Sequence, residues 1–291
     1  MIDYLQLLLL GAVAGFTIFL GLPVAVMQNV SSRNKGFLNA IATGILVFLI
    51  IDVFSHAWET ASGAAADAFA GRAATGDAVL DLAAVFGGIA MGLLGLAFYE
   101  AKYMAKASAV ETQALLEVER STARAISGLV LQSQVLEEAS AYKLAIMIAI
   151  GIGAHNFSEG LAIGQSYASG SVGLALILII GFGAHNATEG FGIASPLTGL
   201  VKRPSARFLV TVGLVGGVPT FLGTLTGNLV GVSDFTYVLF LSIAGGALVY
   251  VSMLMYNSGR RQTSNRVLMI GIFVGLSAGF LTDLIVTLGG A

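Results

Sequence analysis

The sequence predicts an all-α polytopic membrane protein of eight transmembrane helices, and three observations carry that expectation. Only 10% of the 291 residues are Asp, Glu, Lys or Arg, while 56% are hydrophobic, far from the roughly quarter-charged balance of a soluble domain. The apolar residues gather into eight runs near 5–27, 37–58, 79–99, 143–165, 172–195, 208–230, 235–256 and 267–289, each close to the roughly 20 residues a spanning helix needs. These runs are rich in Gly, Ala, Leu, Ile and Val without strict alternation, the pattern of helices rather than of barrel strands. Little chain remains for a soluble domain, and no nucleic-acid partner is expected. With no cysteine in the chain, disulfides and thiolate metal sites are excluded.

Taken in order, the first run starts at Asp3 and lacks a basic leader and a small-residue cleavage site, so it is expected to stay as a span rather than to be removed as a signal peptide. The second ends in "IDVFSHAWETA", where Asp52 and His56 share a helix face and Glu59 follows one turn on. Two readings stand for this stretch: a metal intake pathway, or a hydrogen-bonded helix end anchored at the interface by Trp58. After the third run, residues 100–142 form a polar insert of mixed charge without proline, expected as an inner-side helical hairpin or a partly ordered linker. The sixth run carries Pro219 in "LVGGVPTFLG", and the seventh and eighth have Asp234 and Asp283 near their outer ends, both read as solvated. The chain thus divides into spans one to three (1–99), the insert (100–142), spans four and five (143–195) and spans six to eight (196–291).

Basic residues set the orientation. With the N-terminus outside, the inner connections hold Arg33, Lys35, Lys102, Lys106, Arg120, Arg124, Lys143, Lys202, Arg203, Arg207, Arg260, Arg261 and Arg266, which is 13 of the 14 Lys and Arg. Only Arg72 falls outside, in a connection that also holds Asp67, Asp77 and Asp81. An even number of spans then places both termini outside and the insert in the cytoplasm, across a plasma (inner) membrane.

The most informative feature is a stretch written twice. "GIGAHNFSEGLAIG" at 151–164 and "GFGAHNATEGFGIA" at 181–194 agree at eight of fourteen positions, including every His, Asn and Glu. The two spans that hold them are joined by a short connection and must be antiparallel, and both histidines lie roughly 18–20 Å into a ~30 Å hydrocarbon core. Spacing of i,i+4 puts His155 over Glu159 and His185 over Glu189, with Asn156 and Asn186 three residues before their Glu. Imidazole nitrogen with carboxylate and amide oxygen suits Zn²⁺, Fe²⁺, Mn²⁺ or Cd²⁺ rather than the all-oxygen ions. One divalent cation neutralises two buried glutamates, so metal and protons compete for the same atoms. Glycines around both motifs remove side-chain bulk where backbones approach. A lone His or Asn in a membrane helix usually serves as interhelical glue, but two glutamates, each with a histidine one turn before, point to a functional site.

With H-N-x-x-E-G in two consecutive spans, eight spans and outside termini, the chain resembles the ZIP family of divalent metal transporters over nearly its whole length. By position, His155, Asn156 and Glu159 match that family's fourth-span motif, and His185, Asn186 and Glu189 match its fifth-span motif, which together build the transport site. The resemblance implies a 3+2+3 arrangement with inverted repeats, a homodimer, and movement of a unit that holds spans four and five. The chain departs from the pattern at Ser158 and Thr188, where many members have Pro, so any bend there comes from glycine or from hydroxyl back-bonding. It departs again at Val218, which stands before Pro219 where members with a binuclear site have Glu. "HAWET" keeps His56 and Glu59 without the Pro of the family's second span, and the insert lacks the His-rich loop of some members.

The leading expectation is a transporter that moves Zn²⁺, Fe²⁺ or a similar ion toward the cytoplasm. His155, Glu159, His185 and Glu189 are expected as ligands, Asn156 and Asn186 as adjustable ones, and Asp52, His56 and Glu59 as the intake route. No prosthetic group is expected, and the partners are the metal ion, the lipid bilayer and a second copy of the chain. The rivals are an intramembrane metal enzyme of hydrolase or di-iron oxidase type and a receptor-like protein in which the polar residues are glue.

Overall fold

Hydrocarbon offers a backbone N–H or C=O no partner, so an apolar chain must satisfy these groups within itself as helix. The computed structural model describes residues 3–104, 125–229 and 233–288, and among these there are eight α-helices and no strand. They are α1 (Tyr4–Phe16), α2 (Ser32–Phe69), α3 (Thr75–Tyr99), α4 (Ala125–Ala168), α5 (Val172–Ala194), α6 (Ala206–Leu229), α7 (Asp234–Gln262) and α8 (Asn265–Leu288). All eight expected spans are present as helices long and apolar enough to cross a membrane. Helix starts follow from local chemistry: Asp3 and Gln6 form a reciprocal capping box on α1, and the hydroxyls of Ser31 and Ser233 accept from backbone N–H groups of Asn34 and Thr236.

The helices differ from the apolar runs in four places. α1 stops at Phe16, and the rest of the first span is carried by two 3₁₀ turns, Thr17–Leu20 and Leu22–Val26. Pro23 cannot donate a backbone hydrogen bond there, and Gly21 lies against the backbone of Ala187, Gly190 and Phe191 in α5, where a side chain would overlap it. α2 is 38 residues long and so overruns a ~30 Å hydrocarbon core at 1.5 Å per residue. α4 starts at Ala125 and runs without a break through the boundary expected at residue 143; residues 105–124 of the insert lie outside the described residues. Asp81, expected in an outer connection, is inside α3 and buried.

Packing sorts the helices into two groups of four. α4 lies along α6, and α1 packs on α5 and α6; α2 lies against α7 and α8, and α3 against α7. Exchanging the first three helices with the last three maps the α3–α7 contact onto α8–α2, which is consistent with the 3+2+3 arrangement. Backbone-to-backbone approach makes the α4–α6 contact possible: a Cβ on Gly160 would overlap the Thr220 carbonyl, and one on Gly223 the Phe157 carbonyl. Close approach through small residues supplies the dispersion contact that lipid cannot replace. Between the groups lies a core that includes Met147, Ile148 and Ile152 of α4 and Leu248 and Val251 of α7.

Gly160→Leu should therefore separate α4 from α6 and cost at least ~3 kcal/mol, read as a lowered thermal unfolding midpoint or loss of the monodisperse peak in detergent. Gly95→Leu on α3, where nothing lies within 4 Å of the added carbon, should stay within ~0.5 kcal/mol of the parent.

Candidate metal centre

Helix periodicity sets the site's geometry. On α4, His155 Nε2 lies 3.3 Å from Glu159 Oε1; on α5, His185 Nε2 lies 3.9 Å from Glu189 Oε1. The antiparallel pairing brings the two halves together, with His155 Nε2 3.8 Å from Glu189 Oε1 and the imidazole centroids 6.1 Å apart. One ligand-type atom each from His155, Glu159 and His185 falls within a 4.8 Å group. All six motif residues are buried, Glu189 and both asparagines completely.

The two asparagines point their donors away from this cluster. Asn156 Nδ2 donates to the Gly216 carbonyl on α6 at 2.9 Å, in the turn that Pro219 loosens. Asn186 Nδ2 donates to the Ala14 carbonyl on α1, also at 2.9 Å. That carbonyl accepts from Thr17 Oγ1 as well, at 2.6 Å, where α1 tightens into its 3₁₀ turn. The amide oxygens are left over.

Eight buried atoms of the six residues have no hydrogen-bond partner: both ring nitrogens of His155, His185 Nε2, Glu159 Oε2, both carboxylate oxygens of Glu189, and Oδ1 of Asn156 and Asn186. His155 Nε2 is thus at ion-pair distance from two carboxylates without making an aligned hydrogen bond to either. Buried polar atoms are nearly always paired, and in this group the carboxylate, amide and imidazole acceptors outnumber the one N–H that each neutral ring can offer. A cation fits such a group, and two imidazoles with two carboxylates form a donor set for a borderline divalent ion. The hydroxyl back-bonds expected in place of proline are present but unequal: Thr188 Oγ1 reaches the His185 carbonyl at 2.7 Å, Ser158 Oγ the Ala154 carbonyl only at 3.5 Å.

The cluster opens into a cavity. A cavity of about 340 Å³ runs from His155, Glu159 and His185 past Tyr237 to Asp52, His56 and Asp283. Asp52 and His56 were expected on this route. Their pairing places His56 Nδ1 3.5 Å from the Asp52 carboxylate and 2.9 Å from the Asp52 carbonyl oxygen. Glu59 is exposed one turn beyond His56 and does not line the cavity. Asp283, read from sequence as merely solvated, is exposed but lines the same cavity. The available signal was a carboxylate inside the last apolar run, at the same membrane face as Asp52. In the opposite direction, the turns of α4 that precede His155 carry Met147, Ile148 and Ile152, and Ile193 of α5 and Leu197 of the 3₁₀ turn Ser195–Leu197 follow Glu189, all fully buried.

Asn186→Ala and Asn156→Ala should each lower the stability of the purified, metal-free protein by about 1 kcal/mol, because each leaves a buried carbonyl without its side-chain donor. Thermal unfolding in detergent reads this, and an unchanged midpoint in both variants would remove the asparagines as fasteners between helices.

No curated protein matches the chain. The sequence profile of a family described as ZIP Zinc transporter matches residues 35–286, most of the chain and both copies of the motif. Members of that family are transporters of divalent metal ions, which removes the intramembrane enzyme as a reading. The chain belongs to the ZIP zinc transporter family.

Proposed function

We propose that this chain carries Zn²⁺, or a similar ion such as Fe²⁺, Mn²⁺ or Cd²⁺, toward the cytoplasm through one mid-membrane site. His155, Glu159, His185 and Glu189 are its ligands, and the amide oxygens of Asn156 and Asn186 lie beside it as adjustable ones. The observation that carries this reading is the group of eight unpaired buried nitrogen and oxygen atoms, most of them lone-pair acceptors, at the inner part of a cavity lined by Asp52, His56 and Asp283. A carboxylate-lined vestibule of low dielectric raises the local concentration of cations. The apolar plug at Met147, Ile148 and Ile152 then holds the ion until the helices around it shift.

The direction of transport rests on the basic residues, which put the Asp52 face outside and the Lys143 face inside. Placement in the plasma (inner) membrane with both termini outside, and a homodimer, belong to the same proposal. Exchange requires that the site bind without trapping. Protons that take the same imidazole and carboxylate atoms provide one route to release. One metal per chain is favoured over two, since Val218 stands before Pro219.

The decisive experiment is uptake into proteoliposomes loaded with a metal-sensitive dye, across the four ions. Glu159→Gln and His185→Ala should lower saturable flux at least ~10-fold, with equilibrium dialysis giving about one Zn²⁺ per wild-type chain. Tight binding by the wild type with no flux under any gradient would refute the carrier. Asp283→Asn should raise the KM of uptake several-fold while leaving maximal flux nearly unchanged, because it weakens attraction at the mouth and not ligation.

A further inference from the structure

A second, larger cavity of about 640 Å³ opens at the opposite end of the molecule from the intake vestibule. Its chemistry is reversed. Among the described residues that line it, Lys35 of α2, Lys143 of α4 and Arg261 of α7 bring three cationic side chains and Glu100 one carboxylate. That carboxylate is engaged on both oxygens: Lys143 Nζ lies 2.6 Å from Oε1, and the Tyr250 hydroxyl donates to Oε2. Asn257 and Ser258, one helical turn before Arg261, add amide and hydroxyl donors to the wall. For a protein whose substrate is a divalent cation, a cationic chamber of this size is not a second waiting place for metal. Its field repels the ion and attracts an anion.

We propose that this cavity is a binding site for a phosphate-bearing anion. Lys143 retains ammonium protons beyond the one directed at Glu100, and Arg261 presents a planar fork suited to two phosphate oxygens. Because Lys143 belongs to the group of helices that carries the metal cluster, and Lys35 and Arg261 to the other group, a bound phosphate would bridge the two. Occupancy therefore stabilises the arrangement in which the cluster faces the opposite vestibule. The phosphate can be a free anion or the headgroup of an anionic lipid, and both present the same chemistry to these residues.

The test uses the full-length protein in phosphatidylcholine nanodiscs, in chelator-treated, metal-free buffer at constant ionic strength. Equilibrium dialysis against radiolabelled orthophosphate measures the free anion, and native mass spectrometry with added phosphatidylglycerol measures the lipid. Saturable binding of at least one probe is expected, weakened about tenfold by Arg261→Gln and by Lys35→Gln, the effect of losing one charge-assisted contact. Arg72→Gln, which removes a cation paired with Asp67 at the other end of the molecule, should leave binding unchanged. Orthophosphate binding identifies a free anion as ligand; retention of phosphatidylglycerol alone identifies the lipid headgroup. The proposal is overturned if neither probe binds saturably, or if the Arg72 variant loses as much affinity as the other two. It is also overturned if both cavity variants bind as the parent does with unchanged unfolding midpoints. Two cavity substitutions on different helices keep the answer available should one of them fail to fold.

Discussion

Inside a bilayer a polar group has no water to fall back on, and the arrangement around α4 and α5 follows from that constraint. Each motif asparagine has two functions to satisfy, and the fold satisfies only the donor, through Gly216 on α6 and Ala14 on α1. These two hydrogen bonds fasten the flanking helices to the motif helices at matching depth. They also leave both amide oxygens buried without a partner. The two unpaired amide oxygens are thus left by the same contacts that hold the helices together.

The small residues extend this logic from side chains to backbones. Gly160 and Gly223 let α4 lie directly on α6, and Gly21 lets the broken end of the first span reach the backbone of α5. A bulkier residue at these points would move α4 or α5 as a whole, and the His155 to Glu189 distance with it. The His–Glu cluster therefore depends on positions that carry no chemistry of their own. Contact across the boundary between the two helix groups is of a different kind, made by larger apolar side chains such as Met147, Ile148 and Leu248, a packing better suited to sliding than glycine-mediated backbone contact.

Charge divides the molecule between its two cavities. Carboxylates and a histidine line the chamber that reaches the cluster, and cations dominate the chamber at the other end, with an apolar plug between them. A divalent ion would meet attraction on the first side and repulsion on the second. The same asymmetry reappears in the sequence as the placement of nearly all Lys and Arg in one set of connections.

Spans, family and the pairing of His with Glu on one helix face were all legible in the one-dimensional pattern, because each is a local property. Hydropathy over about 20 residues declares a helix that must cross, and i,i+4 spacing declares that His155 and Glu159, or His185 and Glu189, share a face. What only the tertiary structure decided depends on residues far apart in the chain. Asn186 finds its acceptor 172 residues away at Ala14, Asp283 joins Asp52 and His56 along one cavity, and Glu59 is left outside it. The first apolar run reads as one continuous helix, and it is the backbone of α5 against Gly21, together with Pro23, that accompanies its change into 3₁₀ turns. Hydropathy reports how strongly a segment avoids water, whereas these outcomes turn on which neighbour supplies the missing hydrogen bond or the missing space, and only the assembled helices contain that information.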